Sequence, residues 1–131
     1  MSADAYKTYQ RNTVLTAPQG ELILLLFNGC IKFIRQARVA INGQDMSGKN
    51  TYLQKAQAII RELMVTLDQN HPVSENIMMM YDYIHRRLIE ANMKNDLKIL
   101  DEAERLVIEF RDTWKQVNEI TKKKQPRRDR A

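Results

Sequence analysis

Apolar residues recur at alternating spacings of three and four over most of this chain, and that period commits it to helix. The plainest run is Leu53, Ala56, Ile60, Leu63 and Leu67, which lays five side chains along one helical stripe. Ile77, Tyr81, Ile84, Leu88 and Ala91 repeat it, and Ile99, Ala103, Leu106, Phe110, Trp114 and Val117 repeat it again. An earlier stripe passes through Leu22, Leu25, Leu26, Phe33, Ala37 and Ala40. Only 4 Gly and 3 Pro interrupt 131 residues, so helix is the default and sandwiches and barrels are not expected.

The breaks between stripes carry turn and cap chemistry. Thr16 with Gln19 has capping-box spacing, and Pro18 suits a first helical turn. That helix should stop at Asn42 and Gly43, an αL-compatible pair. Asp45 or Ser47 can cap the second, and the polar cluster from Asp68 to Pro72 ends it. Ser74 is the expected cap of the third, and Asn95 or Asp96 breaks and recaps the chain before the fourth. Long helices joined by short connections lie antiparallel, so the expected fold is all-α, an up-down four-helix bundle over 17–117. It is preceded by an irregular N-terminal arm (1–16) and followed by a disordered basic tail (118–131).

The charge is lopsided. Of a net +5, the tail holds six cations, Lys122 to Lys124, Arg127, Arg128 and Arg130, against Glu119 and Asp129. The body is close to neutral, whereas a fold that reads nucleic acid carries its basic face on the folded part. The alternative reading, a helical adaptor binding nucleic acid through this tail, therefore ranks second. The single cysteine, Cys30, excludes an internal disulfide and a multi-cysteine zinc site and suits a reducing, cytoplasmic setting. The longest apolar run, Leu22 to Phe27, is too short for a membrane span, and no signal peptide or membrane insertion is expected.

Catalytic patterns are missing. His71 and His85 lack metal-ligand spacing, and no phosphate loop, nucleophile elbow or zinc-protease motif occurs. Cys30 reads as a small buried thiol in an apolar stretch. Neither an enzyme nor a cofactor or metal is expected. Glu90 with Lys94 and Asp101 with Arg105 are spaced as solvated helix-surface pairs.

What exceeds the needs of a bundle is apolar surface. Between Leu22 and Ile34 almost every residue is apolar, more than one stripe can hold. Placing Leu22, Leu26 and Phe33 inward leaves Ile23, Phe27, Ile31 and Ile34 as an adjacent ridge turned partly outward. Met78, Met79 and Met80 span about 200° of helix circumference, so at least one must leave the core. Such a ridge is either covered within the molecule, if the first helix is simply central beneath its neighbours and the arm, or suits the amphipathic helices of another protein. Tyr6 and Tyr9, three apart, can lie on one side of a short turn.

Ordered motifs then point to a family. Ala5, Tyr6 and Tyr9, Gly20-Glu21-Leu22 and Leu26-Phe27-Asn28-Gly29 resemble the start of the FliS family of flagellar secretion chaperones. Tyr81-Asp82-Tyr83-Ile84, Arg86-Arg87-Leu88, Glu90-Ala91-Asn92, Asn95-Asp96 and Arg111-Asp112-Thr113-Trp114-Lys115 continue the match in order. Ala17-Pro18 departs from the family's later Ser-Pro, and the tail after Ile120 looks divergent.

The resemblance implies a cytosolic helical bundle that holds the disordered C-terminal segment of flagellin as separated helices, blocking premature polymerisation and keeping it secretable. It implies contact between Tyr6, Tyr9 and a component of the export gate. Flagellin contact is expected at Ile23, Phe27, Ile31 and Ile34, with Met79 added from the third helix. Tyr81, Tyr83, Asn92, Asn95 and Trp114 are expected to be bundle architecture. The sequence leaves a homo-oligomer open.

Overall fold

The computed structural model describes residues 19–124. They form α1 (Gln19–Asn42), α2 (Met46–Thr66), α3 (Ser74–Lys94) and α4 (Leu97–Lys124), with no strand among the described residues. The arm, including Tyr6, Tyr9 and the Thr16 cap, lies outside them, as does the chain after Lys124. α1 and α3 each pack against both α2 and α4, so the helices stand at the corners of a square. Side-chain pairs fix the direction: Arg38 meets Asp101 and Arg35 meets Glu104 between α1 and α4, and Phe33 stacks on Tyr52 between α1 and α2. Each neighbour is antiparallel, the up-down bundle expected from the stripes.

Local chemistry explains the corners. Asp45 caps α2 by accepting from the Gly48 N–H at 2.9 Å. Just before it, Gln44 N–H donates to Ile41 O and Asp45 N–H to Ala40 O, the paired closure of a helix C-terminus. The left-handed residue of that closure is Gln44, at φ 59°, and not Gly43 as the sequence suggests. The bond pattern decides which position turns, and it falls one residue later. At the α3–α4 corner Asn95 is left-handed at φ 53°, and Asp96 accepts from the N–H groups of Lys98 and Ile99. Break and recap occupy adjacent residues.

Two further boundaries differ from expectation. Ser74 does not cap α3: it is the first helical residue, buried, and its hydroxyl donates to Asp68 O. The last helix does not stop at Val117 but continues to Lys124. Nothing between those positions breaks a helix, the next proline is Pro126, and lysines in a last turn complement the helix dipole.

The largest correction concerns the face that α1 turns inward. Ile23, Phe27, Ile31 and Ile34 are exposed by only 8%, 2%, 3% and 0%, and with Cys30 and Ala37 they form the seam itself. Leu22 and Phe33 are half-buried, and Leu25 is exposed. The ridge read as outward is the core: Leu26 is buried as expected, but packing against Ala56 and Ile60 of α2 turns residues 23, 27, 30, 34 and 37 inward with it. Against this seam pack Leu53, Ala56, Ile60 and Leu63 of α2, Ile84, Leu88 and Ala91 of α3, and Leu100, Ala103 and Val107 of α4.

Polar ties brace the outside. Lys49, buried at the start of α2, donates to Asn92 O at 2.8 Å and to Asn95 Oδ1, supplying a cation to the carbonyl end of α3. Glu104 accepts from both Arg35 and Arg38. Glu102 takes the Tyr83 hydroxyl at 2.9 Å and Arg87 at 2.8 Å. Glu90 pairs with Lys94 as expected, whereas Asp101 reaches across to Arg38.

Candidate functional site: an apolar groove at one end of the bundle

Among the described residues, the bundle end that holds the α2–α3 connection is left open. There lies a groove of about 770 Å3, a size in the range of ligand-binding clefts. α1 contributes Gly20, Ile23 and Phe27, α3 contributes Ile77 and Tyr81, and α4 contributes Phe110, Trp114 and Val117. Leu67, His71 and Val73 close one side from the connection. Each helix keeps its seam period to its end, but the chain leaves α2 at Leu67 in an extended conformation, φ −68° and ψ 132°. The seam residues of the other three helices therefore have no fourth stripe to meet.

The floor is aromatic. Phe110 stacks on Phe27 with ring centres 6.2 Å apart and tilts against Tyr81 at 5.3 Å, while Phe27 and Tyr81 meet across the diagonal at 6.5 Å. Such offset and tilted pairs are worth roughly 0.5–1.5 kcal/mol beyond the area they bury. Burial pushes the Tyr81 hydroxyl up to about 12, so the floor stays uncharged through the physiological range.

One wall is latched. The Trp114 indole N–H donates to Gly20 O at 3.1 Å, tying the start of α1 to the end of α4. Gly20 lies close against Asn118: a Cβ there would stand 2.0 Å from Asn118 Oδ1, so that side chain would have to turn away. The opposite wall is braced from within. His71 N–H donates to Asp68 O, Asn70 N–H to Asp68 Oδ1, and the Ser74 hydroxyl again to Asp68 O. Asp68 thus takes three of the turn's hydrogen bonds, and His71 takes two more, its O from the Ser74 N–H and its Nδ1 from the Val73 N–H. Polar groups of Thr66, Asp68, His71, Thr113 and Asn118 edge the groove.

A concave apolar floor with a polar edge binds apolar side chains while an amphipathic partner keeps its other face in water. It offers no convergent reactive groups. Among the described residues no three of His, Cys, Asp and Glu gather as metal ligands would. Cys30, on α1, is fully buried and outside the groove lining, its thiol pushed up to about 12 by burial and set against Ala56 O at 3.8 Å.

Of the residues marked by sequence, Ile23 and Phe27 reach the groove floor, but as core side chains seen from one end. Ile31 and Ile34 lie deeper in the bundle and present no surface. Met79 is 64% exposed on the outer side of α3, away from the groove lining. Tyr6 and Tyr9 fall outside the described residues. Sequence reasoning missed Leu67, Ile77, Phe110 and Val117 as groove residues and assigned Tyr81 and Trp114 to architecture. The available signal was the excess length of the fourth stripe, whose Phe110, Trp114 and Val117 run past the last apolar residue of the second.

Comparison with known proteins gives one family. Residues 2–121 match the profile described as "Flagellar protein FliS". The flagellar secretion chaperone FliS of Bacillus subtilis (strain 168) is 52% identical over 118 residues, covering 90% of this chain and 89% of the relative. Those of Escherichia coli (strain K12) and Salmonella typhimurium (strain LT2) are each 32% identical, over 80% and 89% of this chain and 79% and 92% of their own.

Proposed function

This chain belongs to the flagellar protein FliS family, and from that premise we propose that it is a flagellar export chaperone whose client is the C-terminal segment of flagellin. The observation that carries this reading is the open groove with its floor of Phe27, Tyr81 and Phe110 and its wall of Trp114. Flagellin's terminal segment is apolar along one face and assembles when it meets its own kind. A helix of that segment laid over the groove would have that face withdrawn from other flagellin chains, so filament formation waits.

The mechanism needs no chemistry. The groove floor is uncharged and the turn beside it is already braced, so little of the chaperone must order on binding. The client does the ordering, and its loss of freedom offsets part of the contact energy. Release at the export machinery is thereby kept within reach. Ile23 and Phe27 serve as floor in this reading, whereas Ile31 and Ile34 support it from below. Tyr6 and Tyr9 are proposed to meet the export gate on the strength of the family resemblance.

Mixing the full chain with flagellin tests the proposal. A stoichiometric complex should form with intact flagellin and be lost when flagellin's C-terminal segment is deleted. Undiminished binding after that deletion would refute the assignment of client segment.

A further inference from the structure

We propose that Asn42 is a covalent modification site, where the chain with water alone converts its own asparagine to aspartate and isoaspartate. Two asparagines of the sequence precede a glycine, Asn28 and Asn42, and both are exposed. The reaction is self-attack. The backbone nitrogen of the following residue bonds to the asparagine Cγ, the side-chain nitrogen leaves as ammonia, and a succinimide ring joins the two residues. Water then opens the ring at either carbonyl, giving aspartate, or isoaspartate with the main chain running through Cβ. One water enters and one ammonia departs. Glycine favours this attack because no Cβ crowds the nitrogen.

The fold treats the two sites differently. Gly29 lies in the middle of α1, so close to α2 that a Cβ there would stand 3.2 Å from Ile59 Cδ1. Asn28 is itself engaged, its Oδ1 accepting from Arg111 at 3.3 Å. Freeing the Gly29 nitrogen means opening a packed helix at its centre. Asn42 is instead the last residue of α1, and the Gly43 N–H is held by Val39 O at 2.9 Å. The next residue, Gln44, carries a left-handed φ of 59°, so opening this turn relieves strain. Local opening at a helix end costs much less than opening within the packed body. The attacking nitrogen is therefore released at Asn42 and withheld at Asn28.

The products act on the corner that forms them. Isoaspartate inserts an extra main-chain atom inside the closure made by Gln44 N–H to Ile41 O and Asp45 N–H to Ala40 O, displacing both bonds. Either product sets a carboxylate at the negative end of the α1 dipole. That carboxylate stands one turn beyond Arg38, the cation that Asp101 and Glu104 share, and competes for it. Modification thus loosens the α1–α2 corner and the α1–α4 clasp, at the bundle end away from the groove and whatever occupies it.

The test ages the full chain in mildly alkaline buffer, with and without urea. Peptide mapping by mass reads the one-dalton gain at each asparagine, and labelling with an isoaspartyl methyltransferase counts isoaspartate. In urea the two sites should react at similar rates. In the folded chain Asn42 should react about tenfold faster than Asn28 or more. Gly43→Ala places a Cβ no closer than 3.4 Å to Val39 O, so it should stay folded and suppress the reaction at Asn42 alone. Asn42→Asp, which installs one product directly, should unfold at lower urea than the parent chain. Equal rates at the two sites in the folded chain, reaction at Asn42 only in urea, or an Asn42→Asp chain as stable as the parent would overturn the proposal.

Discussion

Trp114→Ala should weaken binding of a flagellin C-terminal peptide by between one and two orders of magnitude. The ring is half-buried and lines the groove. A fully covered aromatic side chain buries roughly 150–250 Å2, which leaves about 100 Å2 of this one for a client to cover. At about 25 cal/mol per Å2 that area is worth about 2.5 kcal/mol, or roughly 60-fold in Kd. The substitution also removes the bond to Gly20 O, at a net cost to the fold of about 1 kcal/mol. Trp114→Phe separates the two effects: it loses the bond but keeps an aromatic face, so stability should fall by that amount while affinity falls much less. Calorimetric titration of the peptide, alongside urea unfolding of each variant, reads both. Met93→Ala is the control, being 79% exposed on a helix face that does not line the groove. A folded Trp114→Ala protein that binds the peptide as tightly as the parent chain would refute the placement of the client.

Three other outcomes follow from the frame. Lys49→Met keeps the buried stem but strips the cation from Asn92 O and Asn95 Oδ1, and urea unfolding should show a loss of about 2 kcal/mol, the scale of a charge-assisted bond. Gln44→Gly should gain about 1 kcal/mol in the same assay, since a side chain at φ 59° carries a left-handed penalty that glycine escapes. Acid should loosen the bundle through its acidic clasps. Burial alone would raise the Glu104 carboxyl, yet hydrogen bonds from Arg35 and Arg38 outweigh it and hold the group below its ordinary 4.5. Glu102 is lowered in the same direction by Arg87 and Tyr83. A lowered folded value means that this stability is full above pH 4.5 and drains as pH falls through the folded value. Glu104→Gln should therefore flatten the acid limb of a stability–pH curve; an unchanged slope would remove Glu104 from the account.

The stripes of α2 and α3 were legible because each has one phase. Leu53, Ala56, Ile60 and Leu63 are all buried, as are Tyr81, Ile84, Leu88 and Ala91. α1 was legible as a helix but not in rotation. When nearly every residue from Leu22 to Ile34 is apolar, hydrophobicity cannot choose between neighbouring stripes, and packing against Ala56 and Ile60 makes the choice instead. Caps were readable where a side chain does the capping, at Asp45 and Asp96. They were not where backbone pairing alone decides, at Gln44, or where a hydroxyl turns to a distant carbonyl, at Ser74. The groove was hidden for a different reason: its lining comes from all four helices and one turn. Phe110, Tyr81 and Ile77 each read as ordinary seam residues, and only the early departure of the chain at Leu67 leaves them uncovered.

Trp114 is the single tryptophan of the chain and stands in the groove wall, so its emission reports on the groove directly. Titrating the protein with a tryptophan-free peptide from the flagellin C-terminus should shift that emission to shorter wavelength along the same saturation curve that calorimetry gives. A peptide that binds calorimetrically while the emission stays where it was would place the client elsewhere and contradict the account.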